Sequence, residues 1–202
     1  IKWKVVGPFN HNGDVSATFN VEQNISVTYS IDNREFRWQD SIVGGTIHIK
    51  HFFGFPALTK ENSGTYYAYT NIYSPNDRLQ DFWVGFQGWS RSSRRGGPTP
   101  SQGQWHATNP KIWVNNIEIA PPVWKQPNLG EETHEIPFVD EDYFYRNPTK
   151  IQLKKGWNKV LLKIPQDNYS WKWMFTCVPI NSTKNGVREV SDLKYSAKFD
   201  ND

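Results

Sequence analysis

The sequence predicts an all-β fold, a single antiparallel jelly-roll β-sandwich domain spanning residues 1–202. Three observations predict it. Aromatic residues make up 15% of the chain and β-branched residues are plentiful, whereas Ala and Leu are scarce, and this composition favours pleated sheet over helix. Apolar and polar residues alternate with a period of two in several segments, and turn-forming residues separate these segments.

The alternating segments are the predicted strands. In 46–50, Ile47 and Ile49 share one face, and in 159–164 Val160, Leu162 and Ile164 do so. Further strands are predicted at 66–73, 81–86, 112–119 around a turn at Asn115-Asn116, and 187–195. The predicted turns lie at Gly44-Gly45, 74–77, Pro121-Pro122 and Lys155-Gly156. No segment shows the period of a long amphipathic helix, so we expect sheets packed on each other.

Charge and composition exclude several classes of protein. The net charge of +3 comes from interspersed lysines and carboxylates, so nothing favours nucleic acid as a partner. No apolar run approaches the ~20 residues of a membrane helix. The single cysteine, Cys177, lies in the apolar run WMFTCVPI and is expected to be a buried hydrophobe rather than a reactive thiol.

Five motifs, in order along the chain, resemble a known family. They are WKVVGPFN, TYYAYTNIYSP, KIWVNNIEI, LKKGWNKVLLKIP and WKWMFTCVPI. Their order is similar to that of galactose-binding-like jelly-roll domains found beside glycoside hydrolase catalytic domains. GGTIHIKHFFG together with SQGQW and KIWVNNIEIAPPVWKQP resembles more narrowly the non-catalytic C-terminal region of family 20 β-N-acetylhexosaminidases from Bacteroides-type bacteria.

The resemblance implies a periplasmic or extracellular bacterial setting and a role beside glycan breakdown. It implies no catalysis in this chain and supplies no sugar-binding residues to carry over. The chain opens on Ile1 without a signal peptide, so we expect a C-terminal fragment of a larger hydrolase. The expected function is that of a non-catalytic accessory module, with carbohydrate binding as one role. A purely structural domain packed on the catalytic barrel and an autonomous glycan-active hydrolase are the alternatives.

Acidic residues are clustered in the long segment 121–148. Asp140 and Asp142 would share one face of an extended strand, and glycoside hydrolysis needs two carboxyl groups facing one bond. No motif for a catalytic carboxylate pair, a serine nucleophile or a zinc site surrounds them. Solvated loop acids or a structural Ca²⁺ site at Asp140 and Asp142 are therefore preferred over catalysis, and no other cofactor is expected.

A second long segment, WSRSSRRGGPTPSQGQW, runs from Trp89 to Trp105 without hydrophobic periodicity. Long connections of this kind are uncommon in compact domains unless they have a function. A sugar presents apolar C–H faces that stack on indoles. An acidic sugar also presents carboxylate or sulfate groups, to which one guanidinium group can donate two parallel hydrogen bonds. The candidate carbohydrate-binding residues are Trp89, Arg91, Arg94, Arg95, Trp105, His106 and Trp124.

Two other interpretations of this segment remain open. Trp89 and Trp105 can anchor the ends of the loop in the core while the arginines are solvated. Alternatively, tryptophan and arginine can form an interface with the catalytic domain of the parent chain, because both residue types are common interface anchors. The expected partner is thus a glycan or that catalytic domain.

Overall fold

The computed structural model describes residues 1–51, 57–86, 100–124, 148–168, 172–183 and 186–199. These residues form an all-β structure with one 3₁₀ turn at Asn20–Glu22 and no α-helix among them. None of them belongs to a helix with the length and apolarity that a membrane crossing requires. The strands are β1 (Lys2–Phe9), β2 (Thr28–Ile31), β3 (Arg34–Arg37), β4 (Gln39–Val43), β5 (Thr46–His51), β6 (Gly64–Ser74), β7 (Arg78–Phe86), β8 (Lys111–Val114), β9 (Ile117–Glu118), β10 (Thr149–Leu153), β11 (Gly156–Gln166), β12 (Lys172–Thr183), β13 (Gly186–Glu189) and β14 (Lys194–Ser196).

Two antiparallel sheets contain most of these strands. The seven-stranded sheet has the order β4-β1-β6-β11-β8-β9, and β14 pairs with β6 beyond the end of β1. The five-stranded sheet has the order β10-β7-β12-β13, and β5 pairs with another part of the same edge of β12. A separate hairpin joins β2 to β3. The longest ladder pairs β6 with β11 over eleven residues, from Gly156 opposite Ser74 to Gln166 opposite Gly64.

The main core lies between the two sheets. It contains residues from β1, β6 and β11 of one sheet and from β5, β7, β10 and β12 of the other, including Trp3, Tyr66, Phe82, Leu162 and Phe175. The Trp3 and Phe175 rings, one from each sheet, meet edge to face with centroids 5.0 Å apart. Burial of these large apolar side chains is the main stabilising contribution to the sandwich.

Residues 10–38, which we call the cover, bury part of the outer face of the seven-stranded sheet. A second core forms beneath the cover, where Phe9 contacts Phe19, Phe36 and Tyr67, with ring centroids 4.7–5.8 Å apart. Tyr69 on the same face contacts Trp38 of the cover. The sheet is therefore apolar on both faces where the cover lies on it.

A buried ion pair joins the cover to the sheet. The side chain of Lys163 on β11 is 1% exposed, and its Nζ lies 2.7 Å from Glu22 Oε1 in the cover. The same ammonium donates to the carbonyl oxygen of Ala17 at 2.7 Å, and the Tyr67 hydroxyl donates to Glu22 Oε1. Burial, followed by the hydrogen bond to Glu22, raises the pKa of Tyr67 far above its usual range, so Tyr67 remains a neutral donor.

The structure confirms the predicted all-β fold and its antiparallel sheets. The predicted strands at 46–50, 66–73, 81–86 and 159–164 lie within β5, β6, β7 and β11, and the hairpin around Asn115-Asn116 is β8–β9. The prediction of one last strand at 187–195 was wrong. The segment forms β13 and β14 in different sheets, because the chain crosses the sandwich at Leu193, which is buried in the main core.

Cys177 is fully buried in the main core, as the sequence predicts. Burial raises the pKa of its thiol to about 12. Because the thiolate is the reactive form, we expect no modification of the folded protein by iodoacetamide at pH 8 and complete modification in 6 M guanidinium chloride. Intact-protein mass spectrometry measures both. Rapid modification of the folded protein would contradict the buried position.

The ion pair beneath the cover can be tested by its effect on stability. Lys163→Met leaves the Glu22 carboxylate without its cation in a largely buried position, so we expect a loss of about 3 kcal/mol in the free energy of unfolding. Urea denaturation followed by tryptophan fluorescence measures it. Lys150→Met is the matched control, because Lys150 pairs with Asp81 while its side chain is 68% exposed. That variant should lose less than about 1 kcal/mol, and equal losses in the two variants would refute the role of burial.

Candidate functional site

Strands of both sheets begin or end at one end of the sandwich, which we call the upper end. In the seven-stranded sheet, β1 ends at Phe9, and β6 begins at Gly64 opposite Gln166, the last residue of β11. In the five-stranded sheet, β7 ends at Phe86 opposite Phe175, close to the start of β12. Residues at the ends of these strands therefore share one end of a rigid scaffold, where functional loops commonly lie.

Trp173 joins the two sheets at this upper end. Its indole Nε1 donates a hydrogen bond to the carbonyl oxygen of Ile164 at 3.0 Å, across the sandwich from β12 to β11. Its ring meets that of Tyr66 on β6 edge to face, with centroids 5.2 Å apart. All three side chains are buried, so the spacing of the sheets at this end is fixed by packing and by a satisfied polar group.

Six of the predicted site residues lie outside the described residues. Trp89, Arg91, Arg94 and Arg95 fall in 87–99, and Asp140 and Asp142 fall in 125–147. Sugar binding by the first four and Ca²⁺ binding by the two aspartates remain predictions. Within the described part of the chain, no group of three or more His, Cys, Asp or Glu side chains is arranged to hold a metal ion.

Trp105 and Trp124 are described, and both are buried. They belong to the main core and meet edge to face with ring centroids 6.0 Å apart, while Trp105 also contacts Phe86 at 5.9 Å. Each indole N–H has an acceptor, the carbonyl oxygen of Ile119 for Trp105 at 3.1 Å and that of Gln104 for Trp124 at 2.8 Å. The position of Trp105 corresponds to the interpretation in which Trp89 and Trp105 anchor the ends of the loop in the core, whereas Trp89 lies outside the described residues.

This placement corrects the prediction that Trp105 and Trp124 act as sugar platforms. Their exposed fractions are 5% and 2%, so in this arrangement neither indole has a face open to a sugar ring. The packing energy of a tryptophan favours burial wherever its N–H finds an acceptor, and both do here. The sequence did not distinguish an anchoring tryptophan from an exposed one, because both are flanked by polar loop residues.

The side chain of Gln102 joins the two long segments. Its Nε2 donates to the carbonyl oxygen of Trp124 at 2.7 Å, and its Oε1 accepts from the Trp124 backbone N–H at 3.1 Å. The segment that follows 87–99 and the residue that precedes 125–147 are thus bonded to each other. The Gln102 side-chain amide satisfies the backbone N–H and C=O of Trp124 as a neighbouring strand would. Trp124 is therefore fixed in position although it belongs to neither sheet.

His106 is half-buried beside this junction. Its Nδ1 lies 3.0 Å from Thr108 Oγ1 and accepts from the Thr108 backbone N–H at 3.2 Å. The His106 carbonyl oxygen accepts from the Asn109 N–H at 3.1 Å, and Asn109 has a φ of 57°. The described contacts of His106 therefore stabilise a tight turn. A contact between His106 and a sugar remains a prediction.

The sequence analysis missed a concave surface on the outer face of the seven-stranded sheet. A cleft of about 90 Å³ lies between the cover and the β8–β11 ladder, lined in part by Glu22, Asn24, Trp113, Asn116 and Lys159. Beyond it on the same face, Trp157 is 52% exposed. The alternation that placed Val160 and Leu162 in the core also places Trp157 and Lys159 on the opposite face of the strand. The sequence pattern could therefore have predicted that these two side chains lie on the outer face.

The anchoring role of Trp124 can be tested against that of the exposed Trp157. Trp124→Ala removes a buried indole and leaves the carbonyl of Gln104 without its donor, so we expect a loss of about 4 kcal/mol in the free energy of unfolding. Trp157→Ala is the matched control and should lose less than about 1 kcal/mol. Urea denaturation followed by circular dichroism measures both. A fully stable Trp124→Ala variant would exclude the anchoring role.

Comparison of the chain with models of protein families, with curated proteins and with solved structures finds no match. The function is therefore inferred from the residues and their geometry.

Proposed function

We propose that this chain is a non-catalytic accessory module of a secreted or periplasmic bacterial glycoside hydrolase of the β-N-acetylhexosaminidase type, and that it binds glycans at the upper end of a jelly-roll sandwich. The ordered motifs described above, with their resemblance to such accessory domains, supply the enzyme class. The fold supplies a rigid scaffold from whose strand ends loops extend. Sugar-binding residues are commonly placed on loops of that kind.

The observation that carries the proposal is the junction formed by Gln102 and Trp124. The side chain of Gln102 bonds both backbone groups of Trp124, and the Trp124 indole bonds the carbonyl of Gln104. The segments containing the candidate sugar-binding residues, 87–99, and the acidic residues, 125–147, therefore start from one fixed region beside Phe86. Fixed residues at the ends of these segments reduce the entropy cost of binding a ligand.

The chemistry of 87–99 favours a sugar that carries an acidic or N-acetyl group. Trp89 offers an apolar ring for the C–H face of a sugar, and Arg91, Arg94 and Arg95 offer paired donors for a carboxylate or sulfate. With Trp105 and Trp124 packed in the core, Trp89 is the remaining platform of the three. Stacking one sugar face on an indole removes roughly 80 Å² of apolar surface from water, which is worth about 2 kcal/mol.

A structural domain packed on a catalytic barrel is the second candidate. Two exposed apolar side chains favour it, because Ile117 on β9 is 68% and Val123 is 77% exposed, and a contact with a neighbouring domain would remove such groups from water. The two candidates make opposite predictions for the isolated chain. A glycan-binding module retains affinity for its ligand without the parent enzyme, whereas a packing domain has none.

Glycan binding can be measured on the isolated chain. A glycan array that includes N-acetylhexosamine-containing and acidic oligosaccharides, followed by titration calorimetry, should identify at least one ligand. Trp89→Ala should weaken binding of this ligand by about 30-fold, the equivalent of about 2 kcal/mol. The double variant Arg94→Ala/Arg95→Ala should selectively weaken the binding of acidic ligands. Arg37→Ala is the control, because Arg37 is exposed on the β2–β3 hairpin and pairs with the nearby Glu35.

The absence of affinity for any glycan on the array would refute the binding role and favour the packing domain. Hydrolysis of aryl glycosides by the isolated chain, lost on changing Asp140 or Asp142, would instead favour the autonomous hydrolase.

A further inference from the structure

The cover leaves part of the outer face of the seven-stranded sheet exposed. Leu161 and Lys163 of β11 lie beneath the cover, whereas Trp157 and Lys159, which precede them on the same face of the strand, do not. Trp157 is 52% exposed, the only aromatic residue among the described large exposed apolar side chains. Single exposed apolar side chains are common on protein surfaces, so the groups around Trp157 decide whether it belongs to a binding surface.

Aromatic and cationic side chains are combined around Trp157. Its ring meets that of Tyr73 on β6 edge to face, with centroids 5.4 Å apart, and Lys194 Nζ lies 5.7 Å from the Tyr73 centroid. These contacts hold Tyr73 between a tryptophan and an ammonium group while half of the Trp157 surface remains in water. Trp157 and Tyr73 thus form an aromatic surface, and the Lys194 ammonium places a positive charge beside it.

The cleft continues this surface along β11. Residues on one face of a strand are spaced by about 7 Å, so Trp157, Lys159 and the cleft beside Leu161 form a row. The cleft volume of about 90 Å³ corresponds to roughly three water molecules. A whole sugar ring does not fit within it, but an acetamido, carboxylate or sulfate group does. The amides of Asn24 and Asn116 line it and can hydrogen-bond such a group.

The uncompensated charge on this row is positive. Within the described residues, the Lys159 ammonium has neither a hydrogen bond nor an ion pair. Glu22, the carboxylate that lines the cleft, is already bonded to Lys163 and to the Tyr67 hydroxyl. Glu118 on β9 is paired with Lys111 at 3.2 Å. The surface therefore complements an anion better than a neutral or cationic group.

We propose that this row is a second glycan-binding surface that takes a linear acidic polysaccharide, with one sugar ring on Trp157, an acidic group at Lys159, and a substituent in the cleft beside Trp113. The proposal rests on the proposed function only in taking a glycan as ligand, because its residues are separate from 87–99. Single-stranded nucleic acid also stacks on aromatic rings near lysines. A sulfated, uronate-containing glycan carries about as many charges per unit as a nucleic acid, so charge alone does not separate the two ligands. The cleft of about 90 Å³ takes an acetamido or sulfate substituent, which nucleotides lack, so an acidic glycan is favoured.

The test compares two hexasaccharides of equal length by titration calorimetry, chondroitin sulfate and chitohexaose. Both contain N-acetylhexosamine, and only the first is charged. We expect the wild-type chain to bind chondroitin sulfate at least 10-fold more tightly at low salt. Trp157→Ala should weaken that binding by about 10-fold or more, and Lys159→Gln should weaken it and lower its salt dependence. Lys60→Gln is the matched control, because Lys60 is exposed and lies away from the row.

Trp89→Ala is measured in the same series to separate the two surfaces. Loss of binding in Trp157→Ala and Lys159→Gln, with retention in Trp89→Ala, supports the second surface, and the site in 87–99 is then decided by the ligands from the glycan array. The reverse pattern refutes the second surface and leaves the proposed function intact. No binding of either hexasaccharide by the wild-type chain refutes the second surface, while ligands found elsewhere on the glycan array still support the proposed function. Tighter binding of oligo(dT) than of chondroitin sulfate also refutes the second surface as a glycan-binding surface.

Discussion

The eleven-residue pairing of β6 with β11 is the constraint on which the rest of the structure depends. Every residue of β6 except Tyr73 is buried, because the main core covers one face of the strand and the cover lies on most of the other. A strand buried on both faces must satisfy all its backbone groups within the sheet. The continuous ladder with β11 from Gly64 to Ser74 satisfies the groups on one edge of β6, and β1 and β14 pair with its other edge. The register of β11 then determines which of its side chains face the main core and which face outward.

The ion pair of Lys163 with Glu22 follows from this register. Lys163 lies opposite Tyr67 in the ladder, on the face that the cover buries, so its charge requires a partner within the cover. Glu22 and the Ala17 carbonyl supply it, and Tyr67 satisfies the same carboxylate from the neighbouring strand. Buried pairs of this kind contribute little net stability but make alternative positions of the surrounding segment unfavourable. The position of the cover, and with it one wall of the cleft, is therefore set by charge as well as by apolar packing.

The sequence predicts the sandwich well where one face of a strand is apolar, as at Ile47 and Ile49, because a period of two is enough to place such residues in a core. It does not predict the cover, whose aromatic residues follow no fixed period and are buried by contacts with β6 and β11 that are distant in sequence. The β2–β3 hairpin was missed although Asp32-Asn33 carried a turn signal, and both residues adopt positive φ. At the site, burial of Trp105 and Trp124 depends on their mutual contact, which no local pattern encodes.

Asn158 connects the scaffold to the exposed row. Its side-chain amide contacts the carbonyl oxygens of Ile72, Lys154 and Gly156 and accepts from the Lys154 N–H and from Asn115 Nδ2, all within 3.2 Å. Asn115 in turn accepts from the Lys159 backbone N–H at 3.0 Å. Trp157 and Lys159, the neighbours of Asn158, therefore project from a backbone that is fixed on both sides. Because a preorganised surface loses little conformational entropy on binding, the fixed backbone of β11 favours binding by the row of Trp157 and Lys159.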